Sequence, residues 1–403
     1  MRVFNYPQKN KQQILALGPE SNGNFSVFSY NKIYFSEDFG DLLKDTNFNE
    51  YQHELNKFLR KNKIKPDIIL TDLHPLYKTT ILGKDLAKKY KAKHIQIQHH
   101  IAHIFSAVGE KALQTTNYKL PPKFCGIALD GTGYGTDGKI WGGECFAISN
   151  LQFPISNDKI SKQKIKIERI GSLENQVMIG GELAIQEPAR MLISILDKIT
   201  RYKIQDTRKS QISNLKSQKD FIYSFVKKYY SVQEFEVLYN QLQQNFNCIE
   251  TSSCGRVLDA VSILLGFCKN ERKHKHEPIL KLEANSTKPY LDIKPKIEMP
   301  ERVISHRSSV ILNTTCLFEY LIKNLHKDKK RLAATAQLYI AEGLAVGVKP
   351  LQLPIFLAGG IANNKIISEY LISKGAYVNK KIPRGDAGLS FGQIIFYLAN
   401  PRN

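Results

Sequence analysis

The sequence predicts an α/β chain in which one element order is used twice. Three observations carry that expectation. Residues 14–98 read β-β-β-α-β-α-β. A second three-strand start opens at Phe124. From Pro354 onward the chain returns to strand, glycine turn, helix, strand and helix. A length of 403 residues with 42% hydrophobic side chains, including 20 Phe and 19 Tyr, is enough to bury sizeable cores and excludes a disordered chain.

In the first round, Ile14–Gly18 is a short apolar run stopped by glycine. Asn24–Tyr30 and Lys32–Glu37 are β-rich runs joined by a turn at Tyr30-Asn31. Glu50–Lys61 carries Leu55, Phe58 and Leu59 at helical spacing. Pro66–Thr71 is a strand running into Asp72-Leu73-His74-Pro75, which reads as a strand-end turn. Thr79–Tyr90 is a helix and Lys93–Gln98 the next strand. The second round begins with Phe124–Asp130, an apolar run ending on a carboxylate. Gly131-Thr132-Gly133-Tyr134-Gly135 then turns the chain into Lys139–Phe146, and Lys164–Ile170 is the third strand. Helices are expected at Pro188–Ile199, Phe221–Lys228, Val232–Gln244, Arg256–Phe267 and Lys330–Val346. The round closes with strand Pro354–Ala358, turn Gly359-Gly360, helix Asn364–Ser373, strand Ala376–Asn379 and helix Leu389–Leu398.

Three meandering strands followed by αβαβα is the ribonuclease-H-like topology. Used twice, with helical insertions, it is the bilobal α/β architecture of the actin, sugar-kinase and Hsp70 superfamily. The expected lobes are 1–122 and 123–403, with 112–123 as a linker. Ser149–Gln163 and Lys203–Lys219, rich in Ser, Asn, Gln and Lys, read as solvated insertions. Glu271–His276 reads as a loop, with a second metal site as the alternative.

The formal net charge is +21, from 58 Lys and Arg against 37 Asp and Glu. Such a field favours polyanions, nucleotides or an acidic partner. The lysines are scattered among Asn, Ile and Gln, so nucleic acid is the less favoured reading. Six cysteines form no CxxC pair, which excludes a zinc-ribbon or thioredoxin-type motif. Several sit in apolar runs, as reduced thiols of a cytoplasmic protein do. The opening residues lack a signal-peptide apolar core, and no apolar run reaches about 18 residues.

The chemistry concentrates at Gln98-His99-His100-Ile101-Ala102-His103. His99 and His103 are four apart, so a helix sets their rings one turn apart on one face. That suits a shared metal ion; the alternative is a polar strand-to-helix junction. Asp130 ends a buried strand, where open α/β sheets bind ligands. The following glycines can turn N–H groups toward a phosphate or form an ordinary hairpin turn. Gly359-Gly360 repeats the strand–glycine–helix arrangement, with the helix from about Asn363 favouring negative charge. Asp386 reads as a helix N-cap or as a group at the mouth of the second sheet. In the latter case a cleft brings it and Asp130 to His99 and His103, making a mixed N/O site for iron, zinc or manganese. Gly180-Gly181-Glu182 and Glu187-Pro188-Ala189-Arg190 form another dense cluster, in which Arg190 can pair with Glu187. No Ser-His-Asp or Walker A pattern is present, and no residue stands out as a nucleophile.

Taken together, these stretches resemble the carbamoyl-transfer module of the HypF family, the hydrogenase-maturation carbamoyltransferases. The matching runs are Asp72–Pro75, Gln98–His103, Gly126–Gly135 with Asp137-Gly138 and Ile140–Glu144, and Glu187–Met191. They continue with Thr251–Ser253 and Gly255-Arg256, Asp259–Val261, Gly359-Gly360 with Asn363, and Asp386–Gly388 with Gly392-Gln393. The resemblance covers roughly residues 13–398, and 126–144 is its most specific part.

The resemblance implies an actin/Hsp70-like (ASKHA) fold with a metal and nucleotide site between the lobes. It implies transfer of the carbamoyl group of carbamoyl-adenylate to the C-terminal cysteine of a HypE-type partner, on the way to a cyanide ligand of nickel-iron hydrogenase. His99, His103, Asp130 and Asp386 would hold one divalent ion, iron or zinc, and form the catalytic centre. Gly131, Thr132 and Gly133 would face phosphate. Gly180, Gly181 and Glu182 would meet the ribose, and Gly359, Gly360 and Asn363 the other side of the nucleotide, carbamoyl-adenylate or ATP/AMP. Three departures stand out. Glu182 replaces the family's usual Asp. Glu277-Pro278-Ile279 replaces a small-residue stretch. The stretch matches the module alone, so either a separate carbamoyl-adenylate-forming enzyme is expected to feed it or it uses another carbamoyl source. The related tRNA threonylcarbamoyl transferases share the HxxxH helix and are the nearest rival. A small-molecule O-carbamoyltransferase and a non-catalytic scaffold are further alternatives.

Overall fold

The computed structural model describes residues 1–7, 11–114, 121–149, 165–205, 215–299 and 309–400. The first sheet is built by β1 (Arg2–Asn5), β2 (Ile14–Ala16), β3 (Ser26–Ser29), β4 (Lys32–Phe35), β5 (Ile68–Asp72) and β6 (Lys93–Ile97), with α1 (Asp45–Lys61), α2 (Lys78–Tyr90) and α3 (His99–Leu113). The spatial order is β1-β4-β3-β2-β5-β6. β2, β3 and β4 meander antiparallel, and β5 and β6 add parallel to β2. Tyr30 and Asn31 both take positive φ (48° and 60°), as a two-residue hairpin turn requires. β1 was not expected; it pairs with β4 at the sheet edge.

The second sheet starts with β7 (Lys123–Tyr134), β8 (Ile140–Ser149) and β9 (Lys166–Leu173). A helical and mixed insertion follows: β10 (Gln176–Ile179), α4 (Leu183–Gln186), α5 (Ala189–Gln205), α6 (Leu215–Val226), α7 (Val232–Gln243), β11 (Cys248–Thr251), α8 (Cys254–Leu265), α9 (Glu277–Ala284), β12 (Ile297–Glu298), β13 (Val310–Leu312) and α10 (Thr314–Lys323). The round then completes with α11 (Lys329–Val348), β14 (Ile355–Ala358), α12 (Lys365–Ser373), β15 (Ala376–Val378) and α13 (Leu389–Ala399). Its main path is β12-β13-β9-β8-β7-β14-β15. Within it, β9-β8-β7-β14-β15 repeats the order β4-β3-β2-β5-β6. This is the bilobal α/β fold of the actin and Hsp70 superfamily, two ribonuclease-H-like sheets with helical insertions.

Three local expectations are corrected. Gly131–Gly133 is not the hairpin turn: β7 continues to Tyr134 through a register shift between Leu129 and Gly133, and the chain reverses after it, where Gly135 and Lys139 are bonded across the turn. A run of glycines inside a strand marks a bulge as readily as a turn. The expected linker is shortened by α3, which runs to Leu113; residues 115–120 lie outside the described residues, as do 150–164 and 206–214, the bulk of the two expected insertions. β10–β13 and α9–α10 were not read from sequence.

The final helices are exchanged between the rounds. α3 packs on β7 and β14 of the second sheet, whereas α13 packs on β2 and β3 of the first, and the two helices pack on each other. Their close approach needs a glycine: a Cβ on Gly392 would collide with the Ala102 carbonyl. One apolar cluster therefore joins Ile14, Phe28 and Leu70 to Ile104, Phe105, Phe391 and Ile395. This exchange packs α3 against β7, the strand that carries Asp130.

Candidate metal centre

Helix α3 starts directly after β6. The Gln98 side chain accepts from Ile101 N at 3.0 Å and caps it. Packing buries both faces of this helix, including His99, His100 and His103. At the register shift within β7, Asp130 Oδ1 accepts from Gly131 N (2.8 Å), which leaves Oδ2 for the histidines. Asp386 sits in a 3₁₀ turn, Asp386–Gly388, ahead of α13. Neither that turn nor α13 takes a side-chain cap, so the N-cap alternative falls. The Asp386 carbonyl is instead held by Asn24 Nδ2 at 3.1 Å, and its carboxylate turns inward.

The four expected ligands converge. His99 Nε2 lies 3.0 Å from Asp130 Oδ2 and 3.5 Å from Asp386 Oδ1; His103 Nε2 lies 3.3 and 3.4 Å from the same atoms. The two Nε2 atoms are 3.1 Å apart. All four donor atoms fall within 4.8 Å of one another. Tetrahedral bonds of ~2.1 Å to His and carboxylate ligands give ligand separations of ~3.4 Å, close to these five distances. Asp386 Oδ1 is buried with no hydrogen-bond partner, a cost that a cation would remove. Two imidazoles and two carboxylates therefore fit a divalent ion of borderline to hard character.

Electrostatics agree. Burial pulls His99 down, but the charge of Asp72, the hydrogen bonds with Asp130 and Asp72 and the nearby Asp386 carboxylate lift it well above the ordinary imidazole range. His103 is lifted in the same way, against burial, by Asp130 and Asp386. Burial pushes the carboxyls up. The histidines outweigh it at Asp130, and Lys275 with the histidines does so at Asp386, holding both below the usual range. Neutral imidazole is the ligand form, so metal uptake at these histidines would be coupled to proton release. His100 takes no part: its Nδ1 meets Gln98 Nε2 at 2.9 Å, and burial beside His99 drives its pKa well down.

Asp72 has a role that sequence alone did not assign. Fully buried at the end of β5, its Oδ2 lies 2.6 Å from His99 Nδ1, and its Oδ1 accepts from His74 N at 2.9 Å. A carboxylate on the outer nitrogen of a ligating imidazole fixes its tautomer and orientation. The available signal was an Asp closing an apolar strand, the same signal that marked Asp130. His74 itself stacks on Tyr77, with ring centres 4.1 Å apart.

The expected nucleotide residues divide. A cavity of ≈ 360 Å³ opens beside the cluster, lined by Asp130, Lys275, His276, Gly360, Asn363 and Asp386. Ile279, from the departing Glu277-Pro278-Ile279 stretch, also lines it. Gly359 takes φ 100° and lies so close to the Leu129 carbonyl that no Cβ fits. Gly131 is open toward Arg256 Nη2, 3.8 Å from where its Cβ would be, but its N–H is spent on Asp130. Gly133 makes room for His100 and His99 instead; Thr132 lies between the two on the bulge. Gly180, Gly181 and Glu182 form the turn from β10 into α4 and do not line this cavity. Arg190 pairs with Glu187 at 2.9 Å, as expected. The 271–276 segment is a loop; among the described residues it contributes to no metal cluster, though His276 reaches the cavity. No helix among the described residues is long and apolar enough to cross a membrane.

Comparison with known proteins meets this geometry. Residues 126–393 match the family "Carbamoyltransferase, Kae1-like Domain, second subdomain", and residues 9–110 match "HypF Kae1-like domain". The chain is 34% identical over 409 residues to a probable carbamoyltransferase HypF of Methanocaldococcus jannaschii, covering 96% of this chain and 47% of that protein. A carbamoyltransferase HypF homolog of Cupriavidus necator is 26% identical, covering 90% of this chain and 85% of its own length. Among solved structures, T. kodakarensis HypF superposes with TM-score 0.77 at 27% identity, over 98% of this chain and 48% of that one. Full-length HypF in the phosphate- and nucleotide-bound form superposes with TM-score 0.79 at 24% identity, over 98% and 47%. The chain thus spans about half the length of the first of these relatives and of both solved structures. It belongs to the HypF carbamoyltransferase family.

Proposed function

We propose that this chain transfers the carbamoyl group of carbamoyl-adenylate to the C-terminal cysteine of a HypE-type partner during nickel-iron hydrogenase maturation. The observation that carries the reading is the convergence of His99, His103, Asp130 and Asp386 at the edge of a ≈ 360 Å³ cavity. The names of the relatives support carbamoyl transfer, and one relative's phosphate- and nucleotide-bound form supports a nucleotide. A divalent ion held by the four ligands would supply Lewis-acid polarisation of the carbamoyl carbonyl or the adjoining phosphate. Iron or zinc fits that role.

The chain's own residues do the rest. Asp72 orients His99. Gly360 and Asn363, on the cavity wall, are assigned to the nucleotide, with Gly359 behind them. The cavity supports these more directly than Gly180, Gly181 and Glu182, the proposed ribose contacts. Lys275 brings positive charge to the cavity, where a departing AMP needs it. The acceptor thiolate is assigned to the partner, since none of the six thiols here is activated. Burial pushes Cys125 and Cys268 up to about 11 and raises Cys145, Cys254, Cys248 and Cys316 as well. The lobes are proposed as 1–122 and 123–403, each roofed by the other's last helix.

The test mixes the purified chain with carbamoyl-adenylate and either HypE or tRNA. Mass spectrometry of the HypE C-terminal peptide should show a carbamoylated cysteine. No gain on HypE or any thiol partner rejects the proposal, and modification of tRNA alone moves the chain to the threonylcarbamoyl side.

A further inference from the structure

We infer that Glu110 is a positioning residue for the fourth ligand: the far end of the ligand helix clamps the loop that delivers Asp386. The inference rests on the metal reading above and deepens it. His99, His103, Ser106 and Glu110 stand at i, i+4, i+7 and i+11 of α3, so they fall within an arc of ~60° on one face. Two of the four are ligands. The other two hold residues 379–382, which lead from β15 to Asp386.

The Glu110 carboxylate is buried, 3% exposed, yet no cation pairs with it among the described residues. Three consecutive backbone N–H groups converge on it: Lys380 N on Oε1 at 2.7 Å, and Lys381 N and Ile382 N on Oε2 at 2.8 and 2.5 Å. Tyr377 Oη and Gln114 Nε2 complete Oε1 at 3.0 and 3.1 Å. Successive N–H groups pointed at one anion form a nest, and five donors saturate the carboxylate's acceptor sites. One turn back on the same face, Ser106 Oγ accepts from Asn379 Nδ2 at 3.3 Å. Beyond the nest, Arg384 ties the loop to the neighbouring glycine turn. Its Nη1 donates to the Ala362 carbonyl at 2.7 Å, and its own carbonyl accepts from Gly359 N at 2.9 Å. Asp386 follows two residues later. A rigid helix thus sets both the histidine pair and the distance at which the opposing carboxylate arrives. With no counter-cation, this buried carboxylate is held by its hydrogen bonds alone, so its position and that of the loop are fixed together.

The probe is Co(II) alone, followed by its ligand-field absorbance in the full chain below the unfolding temperature. Glu110→Ala should weaken Co(II) binding about tenfold, the scale of outer partners at metal sites. Asp386→Ala should weaken it more, and the double variant should bind like Asp386→Ala, because Glu110 acts only through that ligand. Backbone hydrogen exchange at Lys380–Ile382 should accelerate in Glu110→Ala. If that variant folds poorly, Glu110→Gln, with one acceptor oxygen in place of two, should show a smaller loss in the same direction. Unchanged affinity in a folded Glu110 variant overturns the inference. So does a loss that persists in full on the Asp386→Ala background. Failure of the unaltered chain to take up Co(II) overturns the metal reading itself, a result distinct from either.

Discussion

Asp72 and Asp130 reach the same histidine from the two halves of the molecule. Asp72 closes β5 in the first sheet, and Asp130 sits within β7 in the second, at its register shift. Each anchors one oxygen on a nearby backbone N–H, His74 N or Gly131 N. Each turns its other oxygen to His99. They differ in the ring nitrogen they meet: Asp72 holds Nδ1 at 2.6 Å and Asp130 faces Nε2 at 3.0 Å. Under the proposed metal reading, that difference separates an orienting group from a ligand. A carboxylate beside this helix acquires its role from the sheet that presents it, because α3 leaves the first sheet after β6 and packs on β7 and β14 of the second.

The comparison breaks most simply at the ligand. Asp130→Ala should lose more than ~100-fold in metal affinity, beyond the range of outer partners, read by metal content after dialysis. Asp72→Asn should lose about tenfold and keep the full ligand set; equal losses for the two would erase the distinction. The smallest effect is a shift with pH. Imidazolium cannot bind metal, and the folded His99 pKa is raised. Uptake should therefore weaken as pH falls through that raised value, from above the ordinary imidazole range downward. Asp72 is the leading cause that raises it, so Asp72→Asn should move this fall to lower pH. A pH titration of metal uptake on both chains checks the sign.

Much of the candidate centre is legible in the sequence. The His99–His103 spacing is a helical signal, and Asp130 and Asp386 flank glycine turns at expected sheet mouths. Asp72 was equally visible as a strand-end Asp, but its neighbours Leu73-His74-Pro75 read as turn chemistry, and the ring nitrogen it meets is fixed only by packing. Glu110 gave less still: on α3 it reads as one more helix residue, and its five donors come from its own helix and from residues more than 260 positions away. Gly131–Gly133 misled because glycine serves bulge and turn alike; the bulge exists to seat His100 and His99. β10 and β11, Gln176–Ile179 and Cys248–Thr251, are short, and each stands alone until its partner arrives from across the inserted helices.

The exchange of α3 and α13 also has a temporal side. On the ribosome, β1–β6 emerge long before residues 389–399, yet the first sheet's apolar face is covered by Phe391 and its neighbours on α13. A nascent first half must therefore wait with that face open. Its closure depends on contacts nearly the full chain apart, such as Gly18 N to Gln393 Oε1 at 3.1 Å. Such non-local closure is slow and exposes apolar surface meanwhile. The same last step brings in Asp386, so one late segment both seals the sheet and completes the candidate ligand set.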